Sequence, residues 1–504
     1  MSKRHATAGL LATALAVAAG GCTPPGNGAA AGDDGRLRVG TIDFAPCALS
    51  AVGARAVEAQ CAQFEVPEDH DAPDGRRIRL AVALLPARAQ AEADPVVMIA
   101  GGPGQSALAS YPGVAEAFND VRRSRHVLLV DARGTGGSNP LHCKDEEGGH
   151  AFGPEQDTSA DAMRAFAVRC RAALEPASDL RRYATSDHVR DLEAVRMALQ
   201  VPQLNLVGVS YGTRVAQQYA KAYPDATRAV VLDGVVPNDM VLGQEHARNL
   251  EAALAAQFER CRAEPACVGN LGDPSQHLSA VRAALEAGDL PAVGYRDPIS
   301  GEWLEDTPGF EHLASLLRMF SYQPAGSATL PLLLHDAAQG RYAPLLAQSR
   351  MLTASIGDMI AHGMQLSVMC TEDARELTMD PADNDSVLGN AMVTMLQAQC
   401  AAWPTVPRPA DFRAPLSGDV PVLAISGEFD PVTPPRYGDA VAAHLPRGRH
   451  LVAPGQGHNV IGIGCMPKLF AQFIERADAE GIDASCLERL SPAPPFAGYY
   501  GWEP

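Results

Sequence analysis

Short runs rich in Val, Ile and Leu recur along the chain at residues 78–84, 96–100, 126–131, 204–209, 229–233, 420–426 and 450–453. Near-continuous apolar runs of that length read as strands buried on both faces. Between the third and fourth runs, Val189, Leu192, Val195 and Leu199 recur at helical spacing with charged residues between them, the pattern of a helix packed by one face on a sheet. Strand, helix and strand in this order predict an α/β fold: a mostly parallel central sheet with helices on both faces. The alternation stops after Val236-Pro237. From 237 to 410 the pattern is helical, as at 247–263, 277–287 and 311–320, without convincing buried strands, and the sheet resumes at Val420. The segment is therefore expected to be a helical cap inserted late in one core, over the carboxyl edge of the sheet, where ligands bind in open α/β sheets.

The first residues follow a different pattern. Lys3 and Arg4 precede an apolar run over 8–19 and then Gly20-Gly21-Cys22, the layout of an export signal. The expected division is a signal peptide at 1–21, a flexible tether at 22–36, the first part of the core at 37–236, the cap at 237–410, and the second part of the core with a C-terminal extension at 411–504. Small residues before Cys22 resemble a lipobox, with Ala19 standing where that pattern usually has Leu. Cys22 is thus a candidate lipidation site, and the expected location is periplasmic or outer-membrane as a lipoprotein, or else secreted. The Pro/Gly/Ala-rich stretch at 23–35 suits a tether. No later run reaches the roughly 18 apolar residues of a membrane-spanning helix.

Charge narrows the partners. With 41 Lys and Arg against 59 Asp and Glu, the formal charge of −18 repels phosphate backbones, which argues against nucleic acid. Apart from Cys22 there are ten cysteines: Cys47, Cys61, Cys143, Cys170, Cys261, Cys267, Cys370, Cys400, Cys465 and Cys486. An even number in an exported chain reads as disulfides. They fall as five neighbouring pairs along the sequence, although order alone leaves the connectivity open.

The run at 204–209 leads into Gly208-Val209-Ser210-Tyr211-Gly212 and then a helical stretch at 213–223. A G-x-S-x-G turn between buried strand and helix holds a serine hydroxyl on a strained elbow, and the flanking glycines let neighbouring backbone approach. Ser210 is the candidate nucleophile. A hydroxyl is a weak nucleophile at neutral pH and needs a base, itself oriented by an acid. With this elbow the chain order is Ser, acid, His. Downstream, Gly427-Glu428-Phe429-Asp430-Pro431 follows a strand and offers Asp430 as the acid, with Glu428 its local rival. Pro454-Gly455-Gln456-Gly457-His458 follows the last core strand and offers His458 as the base, ahead of His444 and His450.

Acyl transfer also needs donors for the carbonyl oxygen as it becomes negative. After the run at 96–100 comes Gly101-Gly102-Pro103-Gly104, so the N–H groups of Gly102 and Tyr211 are the candidate oxyanion hole. A second glycine-rich loop, Asp131 to Ser138, lacks the spacing of a phosphate-binding loop. Internal bonds of Asp131 or Arg133 are expected there instead.

These motifs together resemble the proline iminopeptidase and tripeptidyl aminopeptidase family of α/β-hydrolases, peptidase family S33, and most closely its secreted tripeptidyl-aminopeptidase-like branch. The likeness runs from about Cys47 to Cys486 and includes Cys143 after the Arg-Gly-Thr-Gly loop and Cys400-Ala401-Ala402-Trp403-Pro404. It implies an α/β-hydrolase fold and hydrolysis of short peptides or arylamides from the free N-terminus, without metal or cofactor. Ala100 departs from the His that iminopeptidases usually carry before the glycine turn, which argues against a narrow proline preference. Aminopeptidase action calls for a carboxylate to hold the substrate amine. In Met369-Cys370-Thr371-Glu372-Asp373, Glu372 is the first candidate and Asp373 the second. The competing readings are a carboxylesterase using the same triad, and a non-catalytic lipoprotein that binds peptide or lipid.

Overall fold

The computed structural model describes residues 30–31, 35–143, 158–356 and 359–502. Its strands are β1 (Ala30–Ala31), β2 (Leu37–Val39), β3 (Ile42–Leu49), β4 (Val57–Pro67), β5 (Arg77–Leu85), β6 (Val96–Ile99), β7 (Val127–Val130), β8 (Leu204–Val209), β9 (Thr227–Asp233), β10 (Val293–Arg296), β11 (Trp303–Asp306), β12 (Val422–Gly427) and β13 (Gly448–Ala453). Among the described residues, eleven of them form one sheet in the order β1-β2-β3-β4-β5-β7-β6-β8-β9-β12-β13. From β7 to β13 every pairing is parallel. From β1 to β5, and between β5 and β7, every pairing is antiparallel.

All seven apolar runs are strands of this sheet, and β6, β7 and β12 are buried along their whole length. Their side chains divide by the two-residue period. Val97, Ile99, Leu128, Leu206 and Val230 enter one cluster with the helix Thr185–Leu199 and the helix Tyr211–Ala222. Val96, Met98, Leu129, Val207 and Val231 enter the other, with the helix Met466–Arg476. Each such side chain taken fully from water contributes about 1.5–3 kcal/mol.

The antiparallel extension β1 to β4 has no counterpart in the sequence reading. Buried and exposed positions are mixed along β3 and β4, so the apolar signal there is too dilute to stand out. Ala30 and Ala31 lie in the expected tether yet pair with Arg38 and Leu37. The expected signal peptide and Cys22 lie outside the described residues.

The inserted segment divides in two. The helices His246–Ala263, Pro274–Ala287, Phe310–Phe320 and Pro324–Ala338 surround a cluster of their own that includes Leu250, Phe258, Leu285, Leu313 and Leu334. The helices His362–Glu372 and Ala391–Cys400 instead send Met364, Val368 and Leu396 into the sheet's cluster. The separate helical body is thus narrower than 237–410, and it also carries the hairpin β10–β11. That hairpin is largely exposed and short, which hides it from a search for buried strands. Disulfides join Cys47–Cys61, Cys143–Cys170, Cys261–Cys267, Cys370–Cys400 and Cys465–Cys486, the neighbour pairs of the sequence. Among the described residues, no helix is long and apolar enough to cross a membrane.

Candidate active site

Strand β8 ends at Val209, and the helix Tyr211–Ala222 begins at once. Ser210 bridges them with φ 54° and ψ −123°, a backbone conformation that a side-chain-bearing residue adopts only when its surroundings enforce it. Here the Ser210 N–H donates to the Asp233 carbonyl at the end of β9 (2.8 Å). Glycine is required on both sides. A Cβ on Gly208 would lie 2.4 Å from the Gly212 carbonyl oxygen, and one on Gly212 would lie 2.3 Å from that of Ile99. The elbow's sequence is therefore set by how closely β8, its helix and β6 approach.

Asp430 and His458 stand on the loops after β12 and β13. Their side chains are bonded Oδ2 to Nδ1 at 2.7 Å, and the residues are only 2% and 4% exposed. Asp430 Oδ1 accepts the N–H groups of Val432 (2.9 Å) and Thr433 (2.8 Å). Its Oδ2 also accepts the Thr433 hydroxyl at 2.8 Å. Burial works to raise this carboxyl, but the facing imidazole and these donors outweigh it and hold it below its ordinary range. For His458, burial works downward, and the Asp430 charge and hydrogen bond more than compensate, leaving the imidazole raised. Among the described residues no hydrogen bond joins Ser210 Oγ to His458, but both residues lie against the turn that ends β9. A Cβ on Gly234, the residue after the carbonyl that accepts the Ser210 N–H, would touch His458 Cε1 at 2.9 Å. Catalytic hydrogen bonds are often long before substrate binds.

The rival residues have other partners. Glu428 accepts the Gly455 N–H at 2.7 Å. His450 bridges Asp439 and Ser426. Asp131 accepts from Ser106, Leu108 and Gly137, while Arg133 is held by Asp191 and the carbonyls of Glu68 and Arg182, as expected of a structural loop.

The glycine turn after β6 lies against the elbow. A Cβ on Gly101 would meet Ser210 Cβ at 2.9 Å, and Gly102 adopts φ +104°. The turn that carries Gly102 thus packs on the serine through Gly101, and Tyr211 follows the serine directly.

The expectation that Glu372 or Asp373 faces a substrate amine is corrected. Both residues are about 1% exposed. Glu372 accepts the Thr185 N–H (2.7 Å) and hydroxyl (3.0 Å). Asp373 is bonded to Arg214 (2.9 Å), Arg413 (2.9 Å) and the Leu242 N–H (3.2 Å). A carboxylate so enclosed presents no free oxygen to a ligand. One buried guanidinium serves both acids, and Asp373 has the nearer contact, at 2.9 Å against 3.6 Å for Glu372. Burial accordingly pushes Glu372 up to about 7, although Arg214 pulls the other way.

Three partners of the site were not read from the sequence. Thr433 touches both Asp430 and His458 Nδ1 (3.1 Å). Tyr322, from the cap, accepts the His458 N–H at its carbonyl (2.8 Å) and sets its ring edge-on to the imidazole at 5.2 Å. Asp233 accepts the N–H groups of Val460 and Ile461, tying the histidine loop to the strand beside the elbow, and burial pushes its carboxyl up to about 6. Thr433 had a signal, its place three residues after the acid in the same turn; Tyr322 and Asp233 had none.

A parallel sheet bearing a strained serine at one strand end and a buried Asp–His pair at two others defines an enzyme of the serine hydrolase class. Residues 94–463 match the family described as alpha/beta hydrolase fold, and the chain belongs to that family. Over 480 residues the chain is 25% identical to the serine protease Hip1 of Mycobacterium tuberculosis, covering 88% of this chain and 91% of that protein. Over 471 residues it is 25% identical to a tripeptidyl aminopeptidase of Streptomyces lividans, covering 86% and 85%. Among solved structures it is similar to a proline iminopeptidase of Mycobacterium smegmatis, with 16% identity, a TM-score of 0.37, and coverage of 83% of this chain and 99% of that one.

Proposed function

We propose that the protein is an exported serine aminopeptidase that cleaves short peptides or arylamides from the free N-terminus, of tripeptidyl or prolyl type, through an acyl-enzyme on Ser210. In this reading His458 takes the Ser210 proton as Oγ attacks the scissile carbonyl carbon. The N–H groups of Gly102 and Tyr211 receive the oxyanion, and Asp430 stabilises the imidazolium that forms. His458 then gives its proton to the leaving amine, and water repeats the sequence to free the acyl group. The observation that carries this reading is the buried 2.7 Å Asp430–His458 pair beside the Ser210 elbow. Two relatives named as a serine protease and a tripeptidyl aminopeptidase support the peptidase class. Five disulfides support export, and lipidation of Cys22 belongs to the same proposal.

The test offers aminoacyl and tripeptidyl arylamides with free and acetylated N-termini, alongside a simple ester. Faster turnover of the free-amine arylamides supports the proposal. Turnover of the ester alone, indifferent to acetylation, would make the enzyme a carboxylesterase. Wild-type protein that no fluorophosphonate labels would remove the catalytic reading of Ser210 altogether and leave a binding lipoprotein.

A further inference from the structure

The buried chain Tyr211–Thr185–Glu372 has no part in the steps above, yet it ends on the residue after the proposed nucleophile. Tyr211 is 2% exposed. Its hydroxyl lies 2.6 Å from Thr185 Oγ1, and that hydroxyl donates to Glu372 Oε2 at 3.0 Å. Since the single Thr185 proton goes to Glu372, the Tyr211 hydroxyl is the donor to Thr185. Glu372 Oε1 closes the unit by accepting the Thr185 N–H at 2.7 Å. One turn along the same helix, Arg214 donates to Asp373 (2.9 Å) and to the Met240 carbonyl (2.5 Å). The first turn of the nucleophile helix is thus held at two side chains by the end of the helix His362–Glu372. Cys370, two residues before Glu372, is itself bonded to Cys400.

We propose that Glu372, acting through the Thr185 hydroxyl, is a positioning residue for the oxyanion hole: it holds the Tyr211 side chain, and through it the Ser210–Tyr211 peptide whose N–H receives the developing charge. The proposal rests on the Ser210 mechanism above. The peptide is the joint between a strained serine, at φ 54°, and the first turn of a helix, so its orientation is set by how Tyr211 sits. A ring held at its hydroxyl leaves the Tyr211 Cα–Cβ direction, and therefore the N–H direction, little freedom. Donors to an oxyanion act only when aimed to within about 0.5 Å and 10–20°. Tolerance that narrow gives a buried side-chain hydrogen bond a lever on turnover rather than on substrate binding.

The experiment compares Tyr211→Phe, Thr185→Val, Thr185→Ser and Glu372→Gln in the full disulfide-bonded chain, each shown folded by its thermal transition. Tyr211→Phe and Thr185→Val are expected to lower kcat about tenfold, a fraction of the 10²–10³ of a deleted oxyanion donor, with KM changed less than about twofold. Fluorophosphonate inactivation, in which Oγ displaces fluoride from phosphorus while the phosphoryl oxygen takes the same backbone donors, slows in parallel. Thr185→Ser restores both rates, and Thr185→Val combined with Glu372→Gln is no slower than Thr185→Val alone, because one chain is cut twice. Unchanged kcat in Tyr211→Phe and Thr185→Val overturns the proposal, as does a Thr185→Ser no better than Thr185→Val. A rise in KM confined to free-amine substrates in Glu372→Gln would return that residue to amine binding and overturn it too. Failure of the underlying mechanism is recognised separately, by Ser210→Ala retaining wild-type turnover.

Discussion

Each buried ionisable side chain around the serine stands between desolvation and its partners, and the balance differs from one to the next. For His458 the partner prevails, so its imidazole titrates above the ordinary value of 6.5. A base must be neutral to accept the Ser210 proton, so kcat/KM is expected to rise with pH along an acid limb centred above 6.5, as a pH–rate profile will show. Asp430→Asn is expected to reduce kcat by on the order of 10⁴, the scale of a triad histidine left in the wrong tautomer. Thr433→Val removes one donor from Asp430 while leaving the Asp–His bond. The loss of a bond worth about 1.5 kcal/mol predicts roughly tenfold slower turnover with little change in KM. For Glu372 desolvation prevails, with Arg214, Asp373, Tyr211, Arg408 and Arg413 around it. Its folded pKa of about 7 exceeds the ordinary 4.5, so between those values the unfolded chain binds fewer protons than the folded one, and stability falls as pH rises through that window. Glu372→Gln lacks this slope. The gap in thermal midpoint between wild type and Glu372→Gln is expected to shift in favour of the variant from pH 4.5 to 7.5; a gap independent of pH would contradict the assignment.

At the scale of elements, the site is a set of strand ends. Ser210, Asp430 and His458 follow β8, β12 and β13, and Gly101-Gly102 follows β6, because parallel strands present all their carboxyl ends along one edge. The elbow depends on close approach between β8, its helix and β6. Gly212→Ala would press a Cβ to 2.3 Å from the Ile99 carbonyl oxygen, a backbone atom that cannot swing away. It is expected to lower stability by about 1–3 kcal/mol, as overpacking does, and to reduce fluorophosphonate labelling of whatever remains folded. These positions were readable because the elbow and both loops keep their glycines and chemical residues within short stretches of chain. The amine-anchor reading of Glu372 and Asp373 was not reliable for the opposite reason. An acidic pair near a cap looks the same in sequence whether it faces a ligand or a buried arginine, and Arg214 lies more than 150 residues away from Asp373 in the chain (|i−j| = 159).

On the scale of the whole molecule, one sheet carries the site and a separately cored helical body rests against it. Some of the contact between them falls on the chemistry: Tyr322 holds the His458 loop, and Asn249 donates to the Val432 carbonyl beside Asp430 (2.9 Å). Disulfides staple the parts locally, the longest spanning 30 residues between Cys370 and Cys400. Closing a loop of that length removes unfolded-state entropy worth about 3–4 kcal/mol. Replacing both cysteines by alanine is therefore expected to lower the unfolding free energy by about that amount, measured by denaturant titration. Because this bond lies beside Glu372, turnover is expected to fall at temperatures where the variant is still folded.

The chain by itself determined the seven buried strands, the late helical insertion, an even set of ten cysteines falling as neighbours, and the candidate residues that follow three of those strands. Each of these is written as a period, a short motif or a count, and local backbone physics acts on all of them. The tertiary structure alone decided which buried acid meets which cation, that Thr433, Tyr322 and Asp233 frame the histidine, and that part of the inserted segment belongs to the main core. Those outcomes depend on partners far apart in the chain. The energy of a buried charge or an apolar face is set by what finally packs against it, not by the residues on either side.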